Sequence, residues 1–222
     1  MLRVVTFNIR HGRALSGALA LDRTAAVIRT LDADVVALQE VDRGLPRSGR
    51  TDQIAVLEEL TGMSFTFGET LRRSKGSFGI AVGTKEPVAA RFELLAPTPG
   101  RRRHGVLTVD LDGFSLAATH LSTQGQARAA ELDALVPMLQ RLPRTTVLAG
   151  DLNASSRSLG PLKALGLRGR RRGTWPSWLP LWQRDHVLVG PGARIVAART
   201  VKTIASDHLP FVCDIEAVGR RA

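Results

Sequence analysis

The segment "TTVLAGD", residues 145–151, is an apolar, β-branched run that stops on an acid. It is too short for a helix and too apolar for a loop, so it reads as a buried strand. Asp151 ends it, and Asn153 follows two residues later. Taken singly, these two residues could do no more than cap a helix. The same arrangement recurs along the chain, however. "RVVTFNI" (3–9) carries Asn8 near its end, "DVVALQE" (34–40) ends on Glu40, and "FSLAATHL" (114–121) carries His120. "DHVLVG" (185–190) begins on Asp185, and Asp207 and His208 precede "PFVCDIEAV" (210–218). Each polar residue adjoins an apolar run that fixes its backbone, and strand ends are where a rigid scaffold presents functional groups.

Further strands are predicted in "SFTFGE", "FGIAVGT", "VAARFELL", "HGVLTVDL" and "ARIVAAR", with the "DG" at 112–113 marking a hairpin. Helical spacing appears over 21–31, with Asp22 as a cap, and over 51–62, closed by Gly62. It appears again over 126–142, with Pro137 as a kink, and over 159–166. Strands outnumber helices and several are joined by hairpins, so the sheet cannot be purely parallel. Two mixed sheets packed together with helices outside account for the pattern. No internal linker interrupts it, and residues 1–222 are expected to form one domain. The one long irregular segment is about 168–184, rich in Arg, Trp and Pro.

Hydrophobic residues make up 44% of the 222, and no apolar run approaches the roughly 20 residues needed to span a bilayer. The opening "MLRVVTFNIR" reads as a strand and not as a signal peptide. The single cysteine, Cys213, excludes an internal disulfide framework. A cytoplasmic monomer is the expectation. Lys plus Arg number 31 against 20 acidic residues, a net charge of +11, and only four of the 31 are lysine. GC-rich coding accounts for much of the arginine. The clusters "LRRSKG" (71–76), "GRRRHG" (100–105) and "RGRRRG" (168–173) are more specific, because guanidinium groups match phosphate oxygens. Arg72 and Arg103 are candidate phosphate contacts. The implied partner is a phosphorylated molecule, with nucleic acid and anionic lipid both open. Three solvated loops would be the bland alternative. Trp175, Trp178 and Trp182 could stack on bases, fill a core or meet a membrane interface.

The strand-end residues supply a coherent set of tools. Asn8, Glu40, Asp151 and Asp207 offer hard oxygen ligands suited to Mg²⁺. A histidine beside a carboxylate can act as a general base, and a second can protonate or stabilise the opposite side of a reaction.

In order, "TFNIRHG", "DVVALQEVD", "GSFGIAV", "ATHLS", "LAGDLNA", "TWP…RDHVLV" and "SDHLP" resemble the motifs of the endonuclease/exonuclease/phosphatase superfamily, over essentially the whole chain. The resemblance implies an α/β four-layer sandwich, with two mixed β-sheets packed face to face between outer helices. It implies a Mg²⁺-dependent phosphoesterase, with Mn²⁺ as a substitute. His208 corresponds to the base that activates water, and Asp185 to the carboxylate that orients it. Glu40 and Asn8 correspond to the metal-binding pair, with Asp207 near a second metal. Asp151 and Asn153 correspond to residues that align the nucleophile and hold the phosphate, and His120 to a histidine facing the scissile phosphate. Two features depart from the pattern. Arg184 precedes Asp185 where an apolar residue is usual, so Asp185 could pair with an arginine instead. The chain has no Tyr, which argues against the apurinic-site branch. A nuclease and a phosphatase of lipid or small substrates both remain open, beside a non-catalytic polyanion-binding module on the same fold.

Overall fold

The computed structural model describes residues 1–73, 75–96, 102–143 and 145–218. Ser74, Gly100 and Arg101 of the basic clusters lie outside the described residues. The chain runs β1 (Leu2–Asn8), α1 (Leu21–Leu31), β2 (Val35–Arg43), α2 (Gln53–Thr61), β3 (Ser64–Arg73), β4 (Gly76–Thr84), β5 (Ala90–Leu94), β6 (Gly105–Leu111) and β7 (Phe114–His120). It continues through α3 (Gly125–Gln140), β8 (Thr146–Asp151), α4 (Gly160–Ala164), β9 (Arg168–Gly169), β10 (Asp185–Val189), β11 (Ala193–Thr200) and β12 (Phe211–Ala217).

The strands form two six-stranded mixed sheets, ordered β11-β12-β1-β2-β4-β3 and β5-β6-β7-β8-β10-β9. Each sheet contains one parallel pair, β1 with β2 and β7 with β8. Parallel neighbours cannot be joined by a tight turn, so each pair needs a crossover. The helices α1 and α3 provide them. The remaining pairs are antiparallel, including the predicted hairpin in which Leu111 faces Phe114 across the turn at 112–113.

Three apolar clusters define four layers. Val4, Val35, Ile80 and Phe211 of the first sheet pack against Leu107, Leu116, Val147 and Val187 of the second. On its other face the first sheet contributes Val5, Val36 and Val212 to a cluster with Ile28 of α1 and Leu57 of α2. The second sheet packs Ala117, Leu148 and Leu188 against Leu132 and Leu135 of α3 and Leu162 of α4. Alternation along each strand sends successive side chains to opposite faces, so one strand serves two clusters.

Two local expectations are revised, the Asp22 cap and the irregular 168–184 segment. Asp22 does not cap α1. Ala20 holds the capping position with no side-chain bond, and Asp22 sits in the first turn, where its negative charge complements the positive end of the helix dipole. Asp52 does cap α2, accepting from Ile54 N at 3.1 Å, and left-handed Gly62 closes that helix. The 168–184 segment is not wholly irregular. It carries β9, which pairs with β10, and a hairpin in which Trp175 and Trp182 form an antiparallel bridge.

Candidate active site

The carboxyl ends of the two parallel pairs open on the same edge of the sandwich, the usual place for a site on such sheets. Asn8 ends β1, and its Nδ2 donates to Glu40 Oε1 at 3.2 Å and across to Asp151 Oδ2 of the second sheet at 3.0 Å. Its Oδ1 accepts from Arg10 N at 3.0 Å, which fixes the amide orientation. Asn8 therefore presents its hydrogens to the two carboxylates and ties the sheets together, with its oxygen occupied elsewhere.

Glu40 reaches the site through a bulge. In the β2–β4 ladder Leu38 faces Ala81 and Val41 faces Gly79, so Gln39 and Glu40 together oppose the single residue Ile80. Glu40 has a positive φ of 59°. Val36, Leu38 and Val41 all join the helix-side cluster, which shows the alternation slipping by one residue at Glu40. Regular pleating would have aimed Glu40 at the helices.

In the second sheet Asp151 has His120 opposite it on β7 and Asp185 opposite it on β10. Asp185 is fully buried, and His208 Nδ1 donates to its Oδ2 at 2.8 Å. His208 Nε2 lies 3.8 Å from Asp151 Oδ2, and His120 Nε2 lies 3.7 Å from the same oxygen. Two imidazoles therefore flank one carboxylate. Asn153 takes a left-handed conformation that Asn tolerates, its N donates to Asp151 Oδ1 at 3.0 Å, and its Nδ2 donates to Leu121 O at 3.0 Å. A cleft of about 570 Å³ is lined by Glu40, His120, Asp151, Asn153 and His208, with Arg102 and Arg184 beside them.

Charge follows this geometry. Burial alone would raise Glu40, but the hydrogen bond and charge of His11, with a further hydrogen bond from Asn8, hold its carboxyl well below the usual range. Burial would lower His208, yet Asp185 beside it, with Asp151 and Asp207, pushes it up to about 10. Burial lowers His120 despite Asp151 and Glu40 nearby, so this ring favours its neutral form. The Glu40 carboxylate is anionic and opens into the cleft, and its hard oxygens suit a divalent cation. Ligand atoms of Asp151, Asp185 and His208 also lie within 4.8 Å of one another. Asp185 is sealed from the cleft and engaged by His208, however, so Glu40 with Asp151 is the better cation seat.

Other sequence-derived candidates lie elsewhere. Asp207 is half-buried, 3.7 Å from Arg10 Nε, and does not line the cleft. Arg72 is exposed and paired with Glu69 at 2.7 Å. Arg102 and His104 line the cleft and Arg103 between them does not. Arg102 stacks 4.6 Å over the Phe78 ring, and burial lowers its pKa. Arg184 does not pair with Asp185. Its guanidinium donates to Asn153 O at 3.1 Å and lies 5.6 Å over Trp175.

Two groups were missed from sequence. His11, within "NIRHG", takes a left-handed conformation and places Nε2 3.0 Å from Glu40 Oε2. Its Nδ1 lies 3.4 Å from Asp42 Oδ1, and Arg47 grips Asp42 through two bonds of 2.8 and 2.7 Å. Behind His120, the His104 ring lies 5.7 Å away and is held by buried Glu131 at 2.7 Å. Glu131 also accepts from Ser122 N at 2.7 Å. The "RHG" beside Asn8 was the only available signal for His11, and nothing local marked Glu131 within its helix.

A family model described as the Endonuclease/Exonuclease/phosphatase family matches residues 5–208. Among solved structures, an endonuclease/exonuclease/phosphatase from Beutenbergia cavernae DSM 12333 is similar, with 27% identity and a TM-score of 0.76, over 98% of this chain and 72% of that one. A functionally unknown conserved protein from Enterococcus faecalis V583 has 17% identity and a TM-score of 0.76, over 98% of this chain and 100% of its own. Humanized D. rerio TDP2 has 17% identity and a TM-score of 0.71, over 97% and 99%. The last two share the fold. No curated protein matches.

Proposed function

The chain belongs to the endonuclease/exonuclease/phosphatase family, whose members are metal-dependent phosphoester hydrolases, and on that premise we propose that it is a Mg²⁺-dependent phosphoesterase in which His208 activates water. The observation that carries this reading is the 2.8 Å pair of His208 and buried Asp185, with His208 lining the cleft beside the carboxylates of Glu40 and Asp151.

With Nδ1 donating to Asp185, His208 turns Nε2 toward Asp151 and the cleft. Nε2 takes a proton from water, the water oxygen bonds to phosphorus, and the ester P–O bond breaks. Asp185 holds the ring orientation and stabilises the imidazolium that forms. Asp151 orients the attacking water, and Asn153 supplies an amide hydrogen to a phosphate oxygen. His120, kept neutral by burial, faces the phosphate from the opposite side. Arg102 and Arg184 bind the anionic substrate from the rim. Glu40 and Asp151 would hold the divalent ion, with Mn²⁺ able to replace Mg²⁺. Bound there, the ion neutralises phosphate oxygens, stabilises the departing charge and offsets the carboxylate field that favours protonated His208.

The substrate is a phosphodiester or phosphomonoester. Incubating the protein with DNA, RNA, phospholipids, nucleotides and a small chromogenic diester, with Mg²⁺ or Mn²⁺, tests the reading. At least one ester should be hydrolysed, and His208→Ala should slow it by roughly 10²–10⁴. Binding of polyanions with no hydrolysis of any ester would leave only the binding-module alternative.

A further inference from the structure

Residues 174–184 form a hairpin whose base belongs to the catalytic cleft and whose tip does not. At the base, Trp175 N donates to Trp182 O and Trp182 N to Trp175 O, both at 3.0 Å, and Trp175 and Arg184 line the cleft. The hairpin is anchored where it passes Ser177, whose N donates to Asp207 O at 2.7 Å and whose Oγ donates to Ser206 O at 2.8 Å.

The tip, taken together with Trp182 of the base pair, reads "WLPLW" over 178–182. Trp178 is 69% exposed, Leu179 45%, Leu181 62% and Trp182 52%. Among the described residues ten large hydrophobics are exposed, and four of them fall within these five positions. Single exposed hydrophobics need no explanation, but a cluster on a fixed support marks an interaction surface. The surroundings are cationic. Arg168, Arg170, Arg171 and Arg172 are exposed just upstream, and Gln183 Nε2 ties the hairpin to Arg170 O at 3.0 Å. Arg157 and Arg171 share a second cleft of about 400 Å³ with Leu181 and Trp182.

We propose that this hairpin docks the protein on an anionic phospholipid surface, with the four apolar tip residues entering the headgroup layer and Arg157 and Arg171 meeting lipid phosphates. Indole rings favour the boundary between polar and apolar media, and here two of them bracket an aliphatic stretch. Apolar insertion beside cationic side chains is the combination that holds a protein on an anionic bilayer. A nucleic acid would use the tryptophans, but exposed Leu179 and Leu181 offer it neither a stacking face nor a charge. A two-fold dimer through the tip would set the arginines of one copy against those of the other. Because tip and cleft share one hairpin, a phospholipid phosphoester becomes the favoured substrate class; that extension rests on the phosphoesterase function proposed above.

Co-sedimentation of the full chain with phosphatidylglycerol/phosphatidylcholine vesicles, and with phosphatidylcholine alone, tests the docking. The protein should bind the anionic vesicles, with a blue shift in Trp emission, and should bind the neutral ones more weakly. The doubly substituted variant Trp178→Ser/Leu181→Ser should lose roughly tenfold or more in vesicle affinity. Arg157→Gln/Arg171→Gln should lose the preference for anionic lipid. Thermal melts check that the exposed substitutions leave the fold intact. Hydrolysis of bis(p-nitrophenyl) phosphate is read in parallel and should be unchanged in Trp178→Ser/Leu181→Ser. Failure of the catalytic proposal then shows as an inactive wild type, and failure of docking as unbound vesicles. Vesicle binding that is absent, or undiminished in the tip variant, overturns the proposal. So does tip-dependent binding confined to single-stranded oligonucleotides, or tip-dependent dimerisation without vesicle binding.

Discussion

His208 and Asp185 lie 23 positions apart in the chain and meet through a 2.8 Å hydrogen bond, with the carboxylate buried beneath the ring. β10 delivers the acid and the turn before β12 delivers the imidazole. If they act as a base and its positioning carboxylate, His208→Ala lowers kcat by roughly 10²–10⁴ with the fold retained. Asp185→Asn removes much of the same effect, because an amide can hold the wrong tautomer. The double variant should be little worse than His208→Ala, since the two act as one unit. Near-normal kcat in a folded His208→Ala protein would end the assignment.

Glu40 opens into the cleft, and Asn8 links it to the Asp151 carboxylate, which also lines the cleft, across the two sheets. Chelation should abolish hydrolysis, and Mg²⁺ or Mn²⁺ should restore it. Glu40→Gln should act through metal affinity, so its activity should recover in part at high metal concentration. Full activity in EDTA would exclude the metal-dependent route.

His11 bridges Glu40 to an Asp42 already neutralised by Arg47. If Glu40 holds the metal, His11 is the positioning residue for that carboxylate. Removal of such a supporting partner typically weakens metal binding by roughly 10–100-fold. His11→Ala should show that loss in a Mn²⁺ titration followed by electron paramagnetic resonance, with His11→Gln closer to wild type. Equal Mn²⁺ affinity in wild type and His11→Ala would reduce His11 to a packing role.

His186 is buried beside the site, where its Nε2 donates to Ala154 O at 2.9 Å. Burial lowers its pKa from 6.5 to about 4. The folded state therefore prefers the neutral ring, and its contribution is complete above the unfolded value and lost as pH falls toward 4. Between pH 6.5 and 4 the wild type should lose on the order of 2–3 kcal/mol relative to His186→Gln, which keeps a donor without titrating. Urea unfolding of both proteins across that range measures the difference. Parallel pH profiles would show that His186 is not the titrating group.

Much of the fold was legible from local pattern. Apolar alternation and turn residues marked the strands of both sheets, because a half-buried strand constrains every second residue wherever its partners lie. The helix closed by Gly62 and the hairpin at 112–113 were readable for the same reason: capping and turn chemistry act within a few residues. Asp22 misled because a capping residue type was present two positions past the cap, Ala20.

By itself, the sequence determined the order of strands and helices apart from β9 and placed Asn8, His120, Asp151, Asp185 and His208 at or beside strand ends; Glu40, read as the end of its strand, lies inside β2, which runs on to Arg43. Tertiary structure alone decided which of them meet and what each presents. The β2 bulge turns Glu40 away from the helices, a one-residue slip that depends on its pairing with β4. Asn8 shows its amide hydrogens to the carboxylates because Arg10 N takes its oxygen. Arg102 lines the cleft in place of Arg103. His11 gains its role only because β1 and β2 lie side by side and bring Glu40 within 3.0 Å. Periodicity reports what a residue's neighbours in the chain require. Contacts between strand ends depend on how two sheets are joined, and that information is spread over the whole packed core.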